Sequence, residues 1–333
     1  MLLNFKGSYA LCLCENQTQG RYSIAKLPKK IIFHCGSAKT GSTTLQAYLW
    51  ANRAALEGEA IHYCPRLVRA DNIDPLNLAI RDVRKLHLKH QAISAGRARL
   101  EYLFGKANYH TIIVSNESAF GDPFSDRYPG FFPFLAPALE GLKEMFAGYQ
   151  LVPIFFVRDQ SRLLPSFYGQ RVRQGTIESF AAFMERAGSY DLSWQPVITA
   201  VSAAFTVPVE VHRFEDFAAR PMDYAAALFA SHSGAAKLLI QNPTAKNAAA
   251  KSHAVDLMLG ANKLVDSMGF MKASQRVRLK KGIRRWLFPL FERIKSGFRL
   301  QLPAERQTAL ASLYRDDLKA LAIKKGPVQE NRP

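Results

Sequence analysis

The stretch IIFHCGSAKTGSTTLQAYLWANR, residues 31–53, decides the fold of this 333-residue chain. Residues 31–35 form a short apolar run, which predicts a buried strand. A glycine-bearing loop follows, and residues 45–53 read as a helix. We therefore predict a strand, a loop and a helix in that order, the unit from which parallel α/β folds are built.

The chain up to about residue 240 repeats this alternation. Further strands are predicted at 111–115, 151–157 and 207–212. Helical periodicity is present at 92–104, 135–146, 163–174, 177–187 and 218–231. The alternation predicts a P-loop-like three-layer α/β fold, in which helices flank a central, mainly parallel sheet.

Three regions follow from this pattern. We expect residues 1–26 to be weakly structured and residues 27–250 to form the α/β domain. Residues 251–333 are basic and contain no strand candidate, so we expect a helical extension that packs on the same domain. Within it, residues 272–299 interleave Lys and Arg with aromatic and aliphatic side chains.

Three roles are open for this basic segment. It could be a solvated helix pair that covers the ligand cleft. It could instead be a surface for an anionic glycan, a lipid-linked acceptor or an anionic membrane, since basic amphipathic helices favour such interfaces. Nucleic acid is a disfavoured partner because the chain carries no recognised nucleic-acid motif.

Charge and cysteine content narrow the class of protein. The formal net charge of +18 indicates anionic partners. The four cysteines lack the C-x-x-C spacing of a structural zinc site, so we expect free thiols and no metal at Cys12, Cys14, Cys35 and Cys64. The sequence has neither an apolar stretch of about 20 residues nor a convincing signal peptide. We therefore expect a cytoplasmic protein and leave peripheral contact with the inner face of a membrane open.

The segment GSAKTGSTT, residues 36–44, is suited to binding a phosphate. Glycine lets the backbone approach an anion, and the amides at a helix start point towards it. We assign anion contacts to Ser37, Lys39, Thr40, Gly41, Ser42, Thr43 and Thr44. An ordinary strand–helix turn with a Ser/Thr cap is the alternative. In the P-loop pattern G-x-x-x-x-G-K-[ST] the lysine position would fall on Ser42, which argues against hydrolysis of ATP or GTP.

Two segments in order resemble the PAPS-dependent sulfotransferases, particularly bacterial glycan-type members; PAPS is 3′-phosphoadenosine 5′-phosphosulfate. HCGSAKTGSTTLQ at 34–46 is similar to the family's 5′-phosphosulfate loop. FVRDQ at 156–160 and PSFYGQ at 165–170 are similar to its second motif, in which Arg158 and Ser166 have the expected spacing. Weaker similarity continues to about residue 265, at 190–194, 211–216 and 247–262.

The resemblance implies an enzyme that moves the sulfuryl group of PAPS to a hydroxyl or amine of an acceptor, such as a carbohydrate or glycolipid. It implies that Lys39 stabilises the leaving group and that Arg158 and Ser166 hold the 3′-phosphate. No metal is implied. A kinase or triphosphatase with a degenerate P-loop and a non-catalytic binder of an anionic glycan are the alternatives.

The acceptor hydroxyl also needs a base. Glu117 is the first candidate, because it follows the strand predicted at 111–115; a structural carboxylate paired with a basic residue is the alternative. The other candidates are histidines, namely His34, His62, His87, His90, His110 and His212. We expect the acceptor pocket in variable loops at 62–92 and 118–134.

Overall fold

The computed structural model describes residues 29–66, 73–233, 252–286, 288 and 300–324. Residues 1–26, which we expect to be weakly structured, lie outside these ranges. The described strands are β1 (Lys30–Gly36), β2 (Ile61–Cys64), β3 (Thr111–Ser115), β4 (Gln150–Val157) and β5 (Glu210–Arg213). They form one five-stranded sheet in the order β2-β3-β1-β4-β5, and every pairing is parallel. The predicted α/β fold is confirmed.

Helices connect the strands and cover both faces of the sheet. In chain order they are α1 (Ser42–Ala51), α2 (Arg53–Gly58), α3 (Pro75–Asp82), α4 (Lys89–Phe104), α5 (Leu135–Met145), α6 (Gln160–Gln174), α7 (Phe180–Gly188), α8 (Trp194–Phe205), α9 (Phe214–Ala219), α10 (Pro221–Ser233), α11 (Ser252–Ser267), α12 (Ala273–Trp286) and α13 (Ala304–Ala320). A 3₁₀ turn at Leu86–Leu88 precedes α4.

Strand β1 lies at the centre of the sheet and is buried on both faces. Ile31 and Phe33 join an apolar cluster that also contains side chains of α4, α5 and α8. Ile32 points to the opposite cluster, with Leu49 of α1 and Phe229 of α10. Burying one such side chain stabilises the fold by about 1.5–3 kcal/mol. Apolar residues on both faces are the signature of a parallel strand between two helical layers.

The structure corrects several predicted boundaries. Residues 62–92, which we expected to be an acceptor loop, contain most of β2, all of α3 and the start of α4. The helix predicted at 218–231 is two helices, α9 and α10, and α10 begins at Pro221, where proline is favoured. The strand predicted at 207–212 starts only at Glu210. Loop residues 118–134 are irregular, as expected.

Helices α11 and α13 both contact α6. Asn262 of α11 donates from Nδ2 to the carbonyl oxygens of Val172 and Thr176, at 2.8 and 3.0 Å. Asp317 of α13 accepts hydrogen bonds from the Gln160 side chain and the Trp194 amide, so it joins the start of α6 to the start of α8. Among the described residues, no helix has the length and apolar composition needed to cross a membrane.

Asp317 gives a test of this bracing. Asp317→Ala leaves the Trp194 amide and the Gln160 side chain without their acceptor in a buried position. We expect the free energy of unfolding to fall by about 3 kcal/mol in denaturant titration. The neighbouring exposed residue is the matched control, and Asp316→Ala should change stability by less than about 0.5 kcal/mol. Equal effects of the two substitutions would contradict the bracing role.

Candidate functional site

The predicted site residues meet at the carboxyl edge of the sheet. Lys39 follows β1, Glu117 follows β3 and Arg158 follows β4 directly. Parallel strands place these three ends on the same edge, which is where open α/β sheets bind their ligands. Because β1 pairs with both β3 and β4, the loop after β1 lies between the other two.

Backbone conformation shapes the loop after β1. Gly41 has a φ of 83°, and a Cβ there would lie 2.5 Å from Cε1 of Phe217. Lys39 also has a positive φ, 72°, which is uncommon for a residue with a side chain. The buried Thr40 hydroxyl donates to the Ser37 carbonyl at 2.7 Å. This hydroxyl therefore holds the loop together, and its contribution to ligand binding would come through the backbone.

Helix α1 begins immediately after the loop and presents free donors. The amides of Thr44 and Leu45 donate to the Gly41 carbonyl. The first two amides of the helix, at Ser42 and Thr43, have no intrahelical acceptor. No acidic residue lies in the first turn. The positive end of the helix dipole is thus left for an external anion.

Lys39, in the loop, lies within electrostatic range of two arginines. Burial, and then the positive charges of Arg173 and Arg158, lower the pKa of the Lys39 ammonium to about 8. No carboxylate within the described ranges forms an ion pair with Lys39. Glu215 and Asp159 partly balance the charge of Arg158, and an anion bound beside Lys39 would relieve the repulsion that its ammonium experiences.

Arg158 connects the two predicted motifs. Its Nη1 donates to the Lys39 carbonyl at 2.6 Å, and its guanidinium lies 4.6 Å from the centre of the Phe214 ring. Its buried Nε has no hydrogen-bond partner in the described structure. The Ser166 side chain is half-buried on α6, and no described residue accepts a hydrogen bond from its hydroxyl. Arg158 therefore holds the loop and keeps donor capacity for a ligand.

Sequence reasoning did not select Arg173. It lies on α6 seven residues after Ser166, which is about two turns of the same helix. That spacing places both side chains on one face, so it is a signal that could have identified the residue. The ring of Phe288 lies 5.6 Å from its guanidinium carbon.

Glu117 is paired. One of its carboxylate oxygens accepts a hydrogen bond from Arg66, and the other accepts one from Nε2 of Gln46 at 2.8 Å. The pairing with Arg66 agrees with the alternative interpretation of Glu117, a structural carboxylate paired with a basic residue. Gln46 lies on α1, so Glu117 is still connected to the helix that carries the loop.

The histidines lie in separate environments. Burial, followed by the charge of His212, lowers the pKa of His34 to about 3, and its Nδ1 shares a hydrogen bond of 2.8 Å with the Ser115 hydroxyl. His212 is buried, and its Nδ1 shares a hydrogen bond of 2.7 Å with the hydroxyl of Tyr224.

Three other candidate histidines lie outside the strands. His110 precedes β3, so it lies at the opposite edge of the sheet from the loop. His87 lies in the 3₁₀ turn before α4 and His90 in the first turn of α4, and neither has a hydrogen-bond partner in the described chain.

His62 lies in a group with Cys64 and Asp74, whose potential ligand atoms are within 4.8 Å of one another. Oδ2 of Asp74 already accepts a hydrogen bond from Arg99 at 2.8 Å, and its Oδ1 accepts one from the Leu76 amide at 2.8 Å. Asp74 therefore caps α3 and carries its own counter-charge. The thiols of Cys35 and Cys64 are free and buried, as expected; Cys12 and Cys14 lie outside the described residues.

The loop geometry can be tested at Gly41. Gly41→Ala adds a Cβ at 2.5 Å from Phe217 and forces a positive φ on alanine. We expect a loss of roughly 1–3 kcal/mol in stability from the backbone conformation alone, measured by thermal unfolding. Gly58→Ala is the control, because its Cβ would meet nothing within 4 Å. A Gly41 variant as stable as the Gly58 variant would show that the loop tolerates a side chain there.

Comparison with models of protein families finds none that matches this chain, and comparison with curated proteins finds no significant match. The function is therefore inferred from the arrangement at the carboxyl edge of the sheet. That arrangement is a glycine loop, a helix start with free amides and a lysine within electrostatic range of two arginines.

Proposed function

We propose that this chain is a PAPS-dependent sulfotransferase that modifies a hydroxyl or amine of a carbohydrate or glycolipid acceptor. The observation that carries the proposal is the Lys39 ammonium, which Arg158 and Arg173 flank and which no described carboxylate neutralises. PAPS carries a 5′-phosphosulfate and a 3′-phosphate on one nucleoside. A ligand with two separate anionic groups suits this site, because its cations come from the loop after β1, the segment after β4 and helix α6.

Each residue has a distinct task in this proposal. The amides at the start of α1 bind the 5′-phosphate. Lys39 donates to the oxygen that bridges phosphate and sulfate, where negative charge develops as the bond to sulfur breaks. Arg158 and Ser166 bind the 3′-phosphate, and Arg173 adds positive charge beside Lys39. The acceptor oxygen or nitrogen attacks sulfur in line with that bond and loses its proton, while 3′-phosphoadenosine 5′-phosphate leaves.

Glu117 remains our candidate for the group that takes the acceptor proton. Arg66 and Gln46 occupy its two oxygens in the free protein. One of these bonds must give way before the carboxylate can contact an acceptor, and catalytic contacts often form only when substrate is bound. The irregular residues 118–134 follow Glu117 directly, so an acceptor bound there would approach this pair.

The contacts of nearby carboxylates support PAPS over Mg²⁺–ATP. Asp159 caps α6 through the Ser161 amide, and Glu215 accepts hydrogen bonds from the Asp159 amide and the Tyr314 hydroxyl. Glu117 is paired as described above. A nucleotide triphosphatase needs a carboxylate available to the metal beside its P-loop, and these three carboxylates all have other partners.

Calorimetric titration tests the nucleotide. We expect 3′-phosphoadenosine 5′-phosphate to bind more tightly than ATP with Mg²⁺, and Lys39→Ala to weaken its binding roughly 10- to 100-fold through loss of a charged hydrogen bond. Lys143→Ala is the matched control, since Lys143 is exposed on α5. Preference for ATP would overturn the proposal. With the nucleotide established, a screen of glycans and lipid-linked sugars with radiolabelled PAPS identifies the acceptor, and binding without any transfer would support a non-catalytic binder.

The pH dependence of binding tests Lys39 directly. Its pKa in the free protein is about 8, so the ammonium is charged below that pH and neutral above it. Phosphate monoesters lose their second proton near pH ~6, which leaves the ligand charge constant in this range. Affinity for 3′-phosphoadenosine 5′-phosphate should therefore be level at neutral pH and fall as the pH rises through 8. Lys39→Arg should remove this fall, because arginine stays charged; an unchanged profile would contradict the role.

A further inference from the structure

Helix α12 is the most basic element of the described structure. Residues 272–286 contain seven Lys and Arg residues and no acidic residue. None of the helix's residues is buried. At about 1.5 Å per residue, its 14 residues extend roughly 21 Å, too short to cross a bilayer but long enough to lie along one.

One face of α12 is fastened to the protein. Lys280 donates from Nζ to Oδ1 of Asp266 at 3.0 Å and to the Gly175 carbonyl at 3.2 Å. Arg276 donates to the Met271 carbonyl at 3.0 Å and lies 3.9 Å from the same Asp266 carboxylate. These two cations therefore hold the helix against α11 and the end of α6.

A second face carries four exposed cations, of which Arg285 lies 5.7 Å from the centre of the Trp286 ring. They are Arg278, Lys281, Arg284 and Arg285, all exposed and without an ion pair or hydrogen bond to any described residue. At 100° per residue they fall within an arc of about 120°. Val277 lies inside this arc and is 65% exposed.

Large apolar side chains lie at the two ends of the helix. Phe270, in the turn before α12, is 88% exposed, and Trp286 at its last position is 74% exposed. An anionic polymer would need the cations but would give no reason to expose these rings. A bilayer accounts for both, because cations meet anionic headgroups while aromatic rings enter the interface.

We propose that the exposed cations of α12, Arg278, Lys281, Arg284 and Arg285, bind the headgroups of an anionic membrane, and that the exposed rings of Phe270 and Trp286 near the two ends of the helix enter the interface beside them. Each Lys or Arg near such a surface strengthens attraction severalfold, and clusters of this size on an amphipathic helix are typical of anionic lipid binding. The inference does not depend on the chemistry proposed for the nucleotide site.

Vesicle flotation of the full chain tests the proposal. The wild type should bind phosphatidylcholine vesicles that contain phosphatidylglycerol and should not bind phosphatidylcholine alone. A variant with Arg278→Gln, Lys281→Gln, Arg284→Gln and Arg285→Gln should lose affinity by roughly several hundredfold. The charge-matched control replaces four exposed cations elsewhere with glutamine, at Lys106, Lys143, Arg220 and Arg315, and should retain most of the binding.

Three results would overturn the proposal. The first is no binding to anionic vesicles, the second is equal losses in the two quadruple variants, and the third is equal binding of the chain to vesicles of phosphatidylcholine alone. The α12 variant should keep the wild-type affinity for 3′-phosphoadenosine 5′-phosphate, so failure of the membrane proposal and failure of the nucleotide proposal are distinguishable.

Trp286 supplies an independent readout. Its indole is exposed, whereas Trp194 is fully buried. Anionic vesicles should shift the tryptophan emission to shorter wavelength, and Trp286→Phe should remove most of that shift. A shift that persists in this variant would place the contact elsewhere and contradict the proposed face.

Discussion

The hydrogen bond from Arg158 to the Lys39 carbonyl is the contact on which the site depends. It joins two loops whose residues are 119 positions apart in sequence. The bond is possible because β1 and β4 are neighbours in parallel register, with Gly36 opposite Phe156. The segments that follow β1 and β4 therefore leave the sheet at the same level. Arg158 then holds Lys39 in a left-handed conformation, which an isolated loop would rarely adopt.

This arrangement concentrates positive charge before any ligand is present. The lowered pKa of Lys39 reflects first the burial of its ammonium and then the repulsion from the charges of Arg173 and Arg158. An anion that binds here would relieve this repulsion. The free energy of binding would therefore be more favourable than at cations that lie far apart. The folded protein has already ordered these groups, so binding an anion there would need little reorganisation of the site.

The basic residues thus divide into groups with different roles. The charges of Arg158 and Arg173 act on Lys39 near the edge of the sheet, whereas the exposed cations of α12 face solvent. Helix α13 supplies neither of these two groups of cations and acts by supporting other helices. Its buried Asp317 supports the starts of α6 and α8, and Trp194 in turn donates to the Arg158 carbonyl at 3.0 Å. Helix α13 therefore stabilises the position of Arg158 through Trp194.

The amino-acid sequence by itself determined the parallel α/β class and the strand–loop–helix unit after residue 31, because periodicity and glycine spacing are local properties; the helix predicted at 45–53 is α1, which ends at Ala51, and Arg53 begins α2. Lys39 was selected from its place in the loop, and Arg158 from the resemblance of its motif to a known family. The sequence did not reveal β2, whose four residues are too few to show a period. The pairing of Glu117 with Arg66 and the approach of Arg173 to Lys39 were decided only by tertiary structure. Both contacts join separate segments, and strand order and helix packing determine which distant segments become neighbours.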